Sequence, residues 1–245
     1  MLIALLNKVR QNRTLYETIA AIRDGKSWLT GMLRGSFAQH GEDKFIADFF
    51  GNRSSGFYID IGASHPFRIS NTFGLYRAGW RGITVEPIPR LVRLHRRWRP
   101  EDTILPSAVG TAGGTLSFYE MTPSVLSTLD RTTAERYQRE GLAVLCRTYP
   151  IDVIPINDIL AKALALGRQI DLLSIDIEGL DIAILSKIDF SRFRPALICL
   201  EISQAGMAGD DCKPVLEAHG YWIVRQMGCN IFAAPKEARP AVKSD

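Results

Sequence analysis

From residue 36 onward the chain alternates short apolar runs with segments whose apolar positions recur three and four residues apart. The first pattern reads as strand and the second as helix. Strands are predicted at 57–61, 82–86, 103–109, 144–153, 170–175 and 196–201, and helices at 44–50, 70–78, 88–98, 157–166, 181–187 and 214–219. Ser70 or Asn71 can cap the second of these helices and Gly79 can end it, while Gly167 stops the fourth. Strands that are apolar at successive positions are covered on both faces, the condition of a mostly parallel sheet between helices, so the alternation predicts an α/β fold. Two stretches depart from it. Strand 103–109 runs into Gly110-Thr-Ala-Gly-Gly114 and on to Leu116-Ser-Phe-Tyr119, which reads as a hairpin. Residues 120–142 are polar and weakly periodic, a loop or short helix laid over the open end of the sheet, where substrate-binding loops usually lie. The runs 221–226 and 230–234 are close enough to form an antiparallel hairpin. With no internal repeat and no second core, a single domain is expected over 36–235, preceded by an arm at 1–35 and followed by a polar tail at 236–245.

The arm changes the picture of charge. It holds Lys8, Arg10, Arg13, Arg23, Lys26 and Arg34 against Glu17 and Asp24, a balance of +4 that equals the net charge of the whole chain. Leu2, Leu5, Leu6, Val9, Leu15, Ile19 and Ile22 recur at helical spacing. Such a helix could lie on an anionic membrane surface as a peripheral contact. The reading preferred is a helix docked on its own domain or on a second subunit, which leaves a homo-oligomer open. The apolar run Met1 to Leu6 is too short for a signal-peptide core or a span, and Cys146, Cys199, Cys212 and Cys229 show no paired spacing. A cytoplasmic, reducing location is therefore expected. The mild overall charge does not suggest a nucleic-acid partner. Arg90, Arg93, Arg96, Arg97 and Arg99 form an acid-free run that could attract an acidic acceptor, but with Leu91, Leu94 and Trp98 taken as the buried face it reads as a solvated back.

Ligands of open α/β sheets bind beyond the carboxyl ends of the strands, and those ends are acidic here. The first strand ends at Asp60 with Gly62, Ala63, Ser64 and His65; the second at Glu86, 24 residues after Gly62; later ones at Ser107-Ala108, at Asp176-Ile-Glu178 and at Glu201. An acid about 20 residues beyond the first turn sits where ribose hydroxyls need an acceptor. The dinucleotide signature Gly-x-Gly-x-x-Gly is absent, since the turn reads Gly62-Ala-Ser-His-Pro-Phe67. A cofactor with a ribose and an amino-acid tail, rather than a pyrophosphate, fits this turn better.

Gln39-His-Gly-Glu-Asp43, Phe57-Tyr-Ile-Asp-Ile-Gly-Ala63, Ser70-Asn-Thr72, Gly79-Trp-Arg-Gly-Ile-Thr-Val-Glu-Pro87 and Asp171-Leu-Leu-Ser-Ile-Asp-Ile-Glu-Gly-Leu-Asp181 together resemble the FkbM-type methyltransferases. The resemblance implies a Rossmann-like class I methyltransferase sheet of seven strands with the last antiparallel, S-adenosylmethionine as cofactor, and O-methylation of a saccharide or secondary-metabolite hydroxyl. By position it assigns the amino-acid end of the cofactor to Asp60, Gly62 and Ala63, its ribose to Glu86 and its adenine edge to Ser107 and Ala108, with Gln39 and Asp43 closing the site. His65 and Pro66 depart from the acid and glycine of many relatives.

A hydroxyl acceptor needs a base or a metal. Asp176, Glu178 and His65 are the candidate catalytic groups, and Asp176, Glu178 and Glu201 a candidate Mg²⁺ set of hard oxygen ligands. Each has a structural reading beside it. Asp60 could cap its turn, Asp176 or Glu178 could hold the start of the 181–187 helix, Glu201 could sit in an ion pair, and a turn histidine before proline is often structural. The alternatives to a methyltransferase are a nicotinamide oxidoreductase and a non-catalytic Rossmann-like binding module.

Overall fold

β1 (Phe57–Ile61) is buried at all five positions, its four apolar residues covered on both faces and Asp60 buried with them. The computed structural model describes residues 13–177, 179–202 and 212–238. β1 pairs in parallel with β2 (Arg81–Val85) on one side and with β7 (Leu172–Ile175) on the other. β3 (Thr103–Leu105) extends the sheet beyond β2, and β8 (Leu197–Glu201), β10 (Asn230–Pro235) and β9 (Tyr221–Met227) extend it beyond β7, giving the order β3-β2-β1-β7-β8-β10-β9. Only β10 runs against its neighbours β8 and β9. This is the seven-stranded sheet with an antiparallel last strand that the resemblance implies.

Successive residues of a strand face opposite layers, and the two cores follow from that. Ile59, Ile61, Leu173, Ile175, Ile198 and Leu200 pack on one face with Ile159 and Leu160 of α6 (Ile156–Ala165). Tyr58, Leu172, Leu197 and Phe232 pack on the other with Ile46 of α2 (Glu42–Phe49) and Trp80, which follows α3 (Phe73–Ala78). α4 (Pro89–Trp98), α7 (Asp181–Leu185) and α8 (Lys213–Ala218) complete the helices between strands.

The expected hairpin at 103–119 does not form. The chain breaks at Pro106-Ser107, so that β3 belongs to the main sheet while β4 (Ala108–Gly110) starts a second one. There, β6 (Val144–Pro155) lies between β4, parallel to it, and β5 (Gly114–Thr122), antiparallel to it. The Gly-rich turn therefore carries the chain across β6 instead of folding one strand onto the next. Within 120–142 are a short 3₁₀ turn at Ser124–Leu126 and α5 (Arg131–Arg139), whose Asp130 cap accepts from the Thr132 and Thr133 amides.

α1 (Arg13–Arg34) docks its C-terminal half on the domain. Gly31 lies so close to the Phe37 ring that a Cβ there would fall 2.4 Å from it. Asp24 reaches His65 and Arg68, at 3.3 and 3.6 Å. Ile22, Leu29 and Leu33 stay exposed on its outer side. The first 12 residues of the arm and the end of the tail lie outside the described residues. Among the described residues no helix is long and apolar enough to cross a membrane.

Candidate active site

The turn after β1 has a backbone that only glycine can supply. Gly62 has φ 76°, and a Cβ on it would sit 1.8 Å from the Asp176 carbonyl oxygen. That approach clamps the tips of β1 and β7 together, reinforced by the Asp176 amide donating to the Ile61 carbonyl at 3.0 Å. The amides of Gly62 and Ala63 both donate to the Val85 carbonyl, tying the turn to β2. Ser64 follows with φ 47°, a left-handed conformation that costs a non-glycine residue about 1 kcal/mol. Its carbonyl is held by His95, whose Nε2 lies 3.1 Å away. Burial lowers the His95 pKa to about 3, so the ring is neutral and Nε2 carries the proton.

Beyond this turn is a cavity lined by Gly62, Ser64, Glu86, Ser107, Ala108 and Asp176. Its remaining wall comes from Ile177, Leu180 and the second sheet with its following segment, including Phe118, Ser124, Val125 and Leu129. Glu86 is 3% exposed and accepts from the Ile88 amide at 2.7 Å. Burial pushes its carboxyl up to about 8, against the backbone donors of Ile88 and Ser64 and the charge of Arg90. Ser107 is equally buried, and its hydroxyl has no hydrogen-bond partner among the described residues. Asp176 is exposed at the tip of β7. The cavity thus offers a carboxyl for hydroxyl groups, an unengaged hydroxyl and a turn with no side chain in the way, a donor set that suits a nucleoside with an amino-acid tail.

The other predicted site residues lie elsewhere. Asp60 shares its strand face with Tyr58 and points away from the cavity into a buried network. It accepts from Thr72 Oγ1 and lies 3.9 Å from Arg99 Nη1. Arg99 is 1% exposed, with Nε 2.8 Å from Asp102 and Nη2 donating to Tyr58 Oη and Thr72 Oγ1. Asp102 in turn accepts from the Gly82 amide of β2. Arg99 therefore departs from the solvated arginine face expected of α4, because it follows the last helical residue and its direction is not set by the helical period. Trp98, expected in the buried face, is 38% exposed, and His95 occupies the buried side instead.

Asp43 is spent on its own loop, accepting from Ser36 Oγ and the amides of Phe37 and Lys44. Gln39 is exposed on a separate, larger cleft, and Ala63 is buried behind the turn; neither borders the cavity. His65 also turns away. It is 2% exposed, its Nδ1 accepts from the Arg68 amide at 3.2 Å, and its Nε2 faces Asp24 of α1. Burial, then the charge of Arg68, lowers its pKa to about 4, and its contacts are to α1 and its own turn, with the cavity lined by other residues. Glu178 lies outside the described residues. Glu201 accepts from Cys229 Sγ at 3.2 Å, and among the described residues no group of three or more His, Cys, Asp or Glu could hold a metal ion.

Asp181 gains a role that spacing alone does not give it. It is buried and accepts from the amides of Ile177 and Gly179, which shapes the turn that carries Asp176 into the cavity. Burial raises its pKa to about 6. Its place in Asp176-Ile-Glu-Gly-Leu-Asp181 was the available signal.

Residues 60–223 match the methyltransferase FkbM domain, well over half of the chain. No curated protein is significantly similar. Among solved structures, the chain is similar to a TehB-like SAM-dependent methyltransferase from Corynebacterium glutamicum, with 13% identity over 89% of this chain and 97% of that one and a TM-score of 0.42. It is similar too to 1,6-didemethyltoxoflavin-N1-methyltransferase from Burkholderia thailandensis, solved with 1,6-didemethyltoxoflavin and S-adenosylhomocysteine, with 12% identity over 90% of this chain and 89% of that one and a TM-score of 0.42. Both likenesses are too distant to carry residue roles across.

Proposed function

The chain belongs to the FkbM methyltransferase family, and from that premise we propose that it transfers the methyl group of S-adenosylmethionine to an oxygen of a saccharide or secondary-metabolite hydroxyl. The observation that supports this reading is the meeting of Gly62, Glu86, Ser107, Ala108 and Asp176 on one cavity at the carboxyl end of the sheet.

In this reading Glu86 accepts hydrogen bonds from the ribose hydroxyls, and the bare Gly62 turn receives the amino-acid end. Ser107 Oγ, buried without a partner, bonds the base edge beside Ala108. The bound cofactor supplies an electrophilic methyl on a sulfonium, so alignment of the acceptor oxygen carries much of the rate. Asp176, exposed at the same rim, would orient the acceptor hydroxyl and receive its proton. Asp60 acts behind the turn, holding it through Thr72 and Arg99. Family membership speaks against the oxidoreductase and non-catalytic alternatives.

Calorimetric titration with S-adenosylhomocysteine tests the cofactor half. Saturable binding by the wild type, weakened at least about tenfold in Glu86→Ala, is expected when a buried hydrogen-bonding partner is removed. A folded wild-type protein that binds neither cofactor nor product refutes the reading.

A further inference from the structure

Next to the cofactor cavity is a cleft of about 1070 Å³, bounded by α1, the loop before α2, residues 67–69, Arg90 and the end of β5. Its charge is one-sided. Arg23, Lys26, Arg34, Lys44, Arg68 and Arg90 line it, and Glu120 is the sole carboxylate among the lining residues. Some of this charge is engaged: Arg23 and Arg68 lie near Asp24, and Glu120 holds Arg147. Lys26, Arg34 and Arg90 make no ion pair among the described residues. A concave surface lined by one sign of charge concentrates counter-ions and the ligands that carry them.

The cleft also adjoins the place where the methyl group would be delivered. Ser124 and Val125 line both spaces. The turn after β1 spans them, with Gly62 and Ser64 on the cavity and Phe67 to Ile69 on the cleft. Arg90 stands in the cleft close enough to Glu86 for its charge to lower that residue's pKa.

We infer that this cleft is the acceptor site and that the acceptor carries phosphate, with Lys26, Arg34 and Arg90 receiving it. The inference rests on the methyltransferase reading and adds the substrate class. The phosphate could belong to a free phosphorylated saccharide or to a lipid headgroup; exposed Ile22, Leu29 and Leu33 on α1 would support the second.

Two probes distinguish these sources. Inorganic pyrophosphate is titrated calorimetrically, and co-sedimentation is measured with phosphatidylcholine vesicles with and without phosphatidylglycerol. Lys26→Glu/Arg34→Glu is compared with Arg97→Glu, which reverses an exposed charge on α4 that does not line the cleft. For either probe, binding is expected to fall at least about tenfold in the double variant, to be unchanged in Arg97→Glu, and to weaken steeply between about 50 and 500 mM salt. Pyrophosphate binding without vesicle binding identifies a free acceptor, and binding to the anionic vesicles identifies a headgroup. Absence of both, or binding that survives the double variant, overturns the inference. S-adenosylhomocysteine binding in the same proteins separates the two levels, since its retention leaves the methyltransferase reading standing when the phosphate site fails.

Discussion

In the proposed site, Glu86 is expected to make cofactor binding a proton-releasing event. Its carboxyl has a pKa of about 8 because burial opposes the charge, so at pH 7 about nine tenths of the protein carries it protonated. Two ribose hydroxyls donating to this group favour the ionised form, which lowers its pKa in the complex. Binding at pH 7 is therefore expected to release about 0.9 proton, and affinity to improve by up to about tenfold per pH unit until it levels off near pH 8. Titrating S-adenosylhomocysteine in Pipes and in Tris, whose ionisation enthalpies differ widely, reads the proton count directly. Glu86→Gln should bind with none. The same group acts on folding, and the sign follows from the raised value. Its stabilising share is complete below the ordinary carboxyl value of 4.5 and is lost as pH rises through about 8, a span worth roughly 5 kcal/mol. Glu86→Gln should thus gain stability relative to the wild type from pH 5 to 8. Equal binding enthalpies in the two buffers, or a stability difference that does not change with pH, would refute the reasoning.

Gly62→Ala places a Cβ against the Asp176 carbonyl at a positive φ; it should lower stability by more than about 2 kcal/mol, read from the denaturation midpoint. Arg99→Leu strands Asp60 and Asp102 in the interior and is expected to cost about 3–5 kcal/mol, with little rescue by Arg99→Lys, which cannot reach Asp102, Tyr58 and Thr72 together. Asp181→Ala removes the acceptor for two amides and should cost about 2 kcal/mol while lowering turnover through the misplaced Asp176 turn. Ser124, Val125 and Ser127 to Leu129 line the cavity, so hydrogen exchange at 124–129 should slow when S-adenosylhomocysteine binds; identical protection with and without it would place the cofactor elsewhere.

The sheet was legible because its strands are mostly apolar runs and several of its helices stop just before a glycine, as at Gly79 and Gly167, signals that lie within a few positions of one another. The second sheet was not. β4 and β5 are three residues apart, yet both pair with β6, which begins more than 20 residues after β5 ends; local pattern shows that strands exist without showing whom they join. In the candidate site, chain position brought Gly62, Glu86, Ser107, Ala108 and Asp176 together, since three of them directly follow a strand end and Ser107 and Ala108 lie at the break between β3 and β4. Asp60 and Arg99 differ because which way a strand-end side chain points depends on register, and a residue beyond a helix end escapes the helical period. The ordinary imidazole pKa near neutrality, which made His65 attractive as a base, is lost once α1 covers the ring and burial lowers it to about 4.

Ser124 and Val125 form a party wall, with the cofactor cavity on one side and the basic cleft on the other. A wall displaced by one occupant alters the room left for the other, so the two equilibria are linked. That linkage is reciprocal: whatever factor the cofactor applies to acceptor affinity, the acceptor applies to the cofactor's. Order of addition then becomes a property of this dipeptide as well as of the ligands, and shortening Val125 to alanine should loosen the coupling before it weakens either site alone.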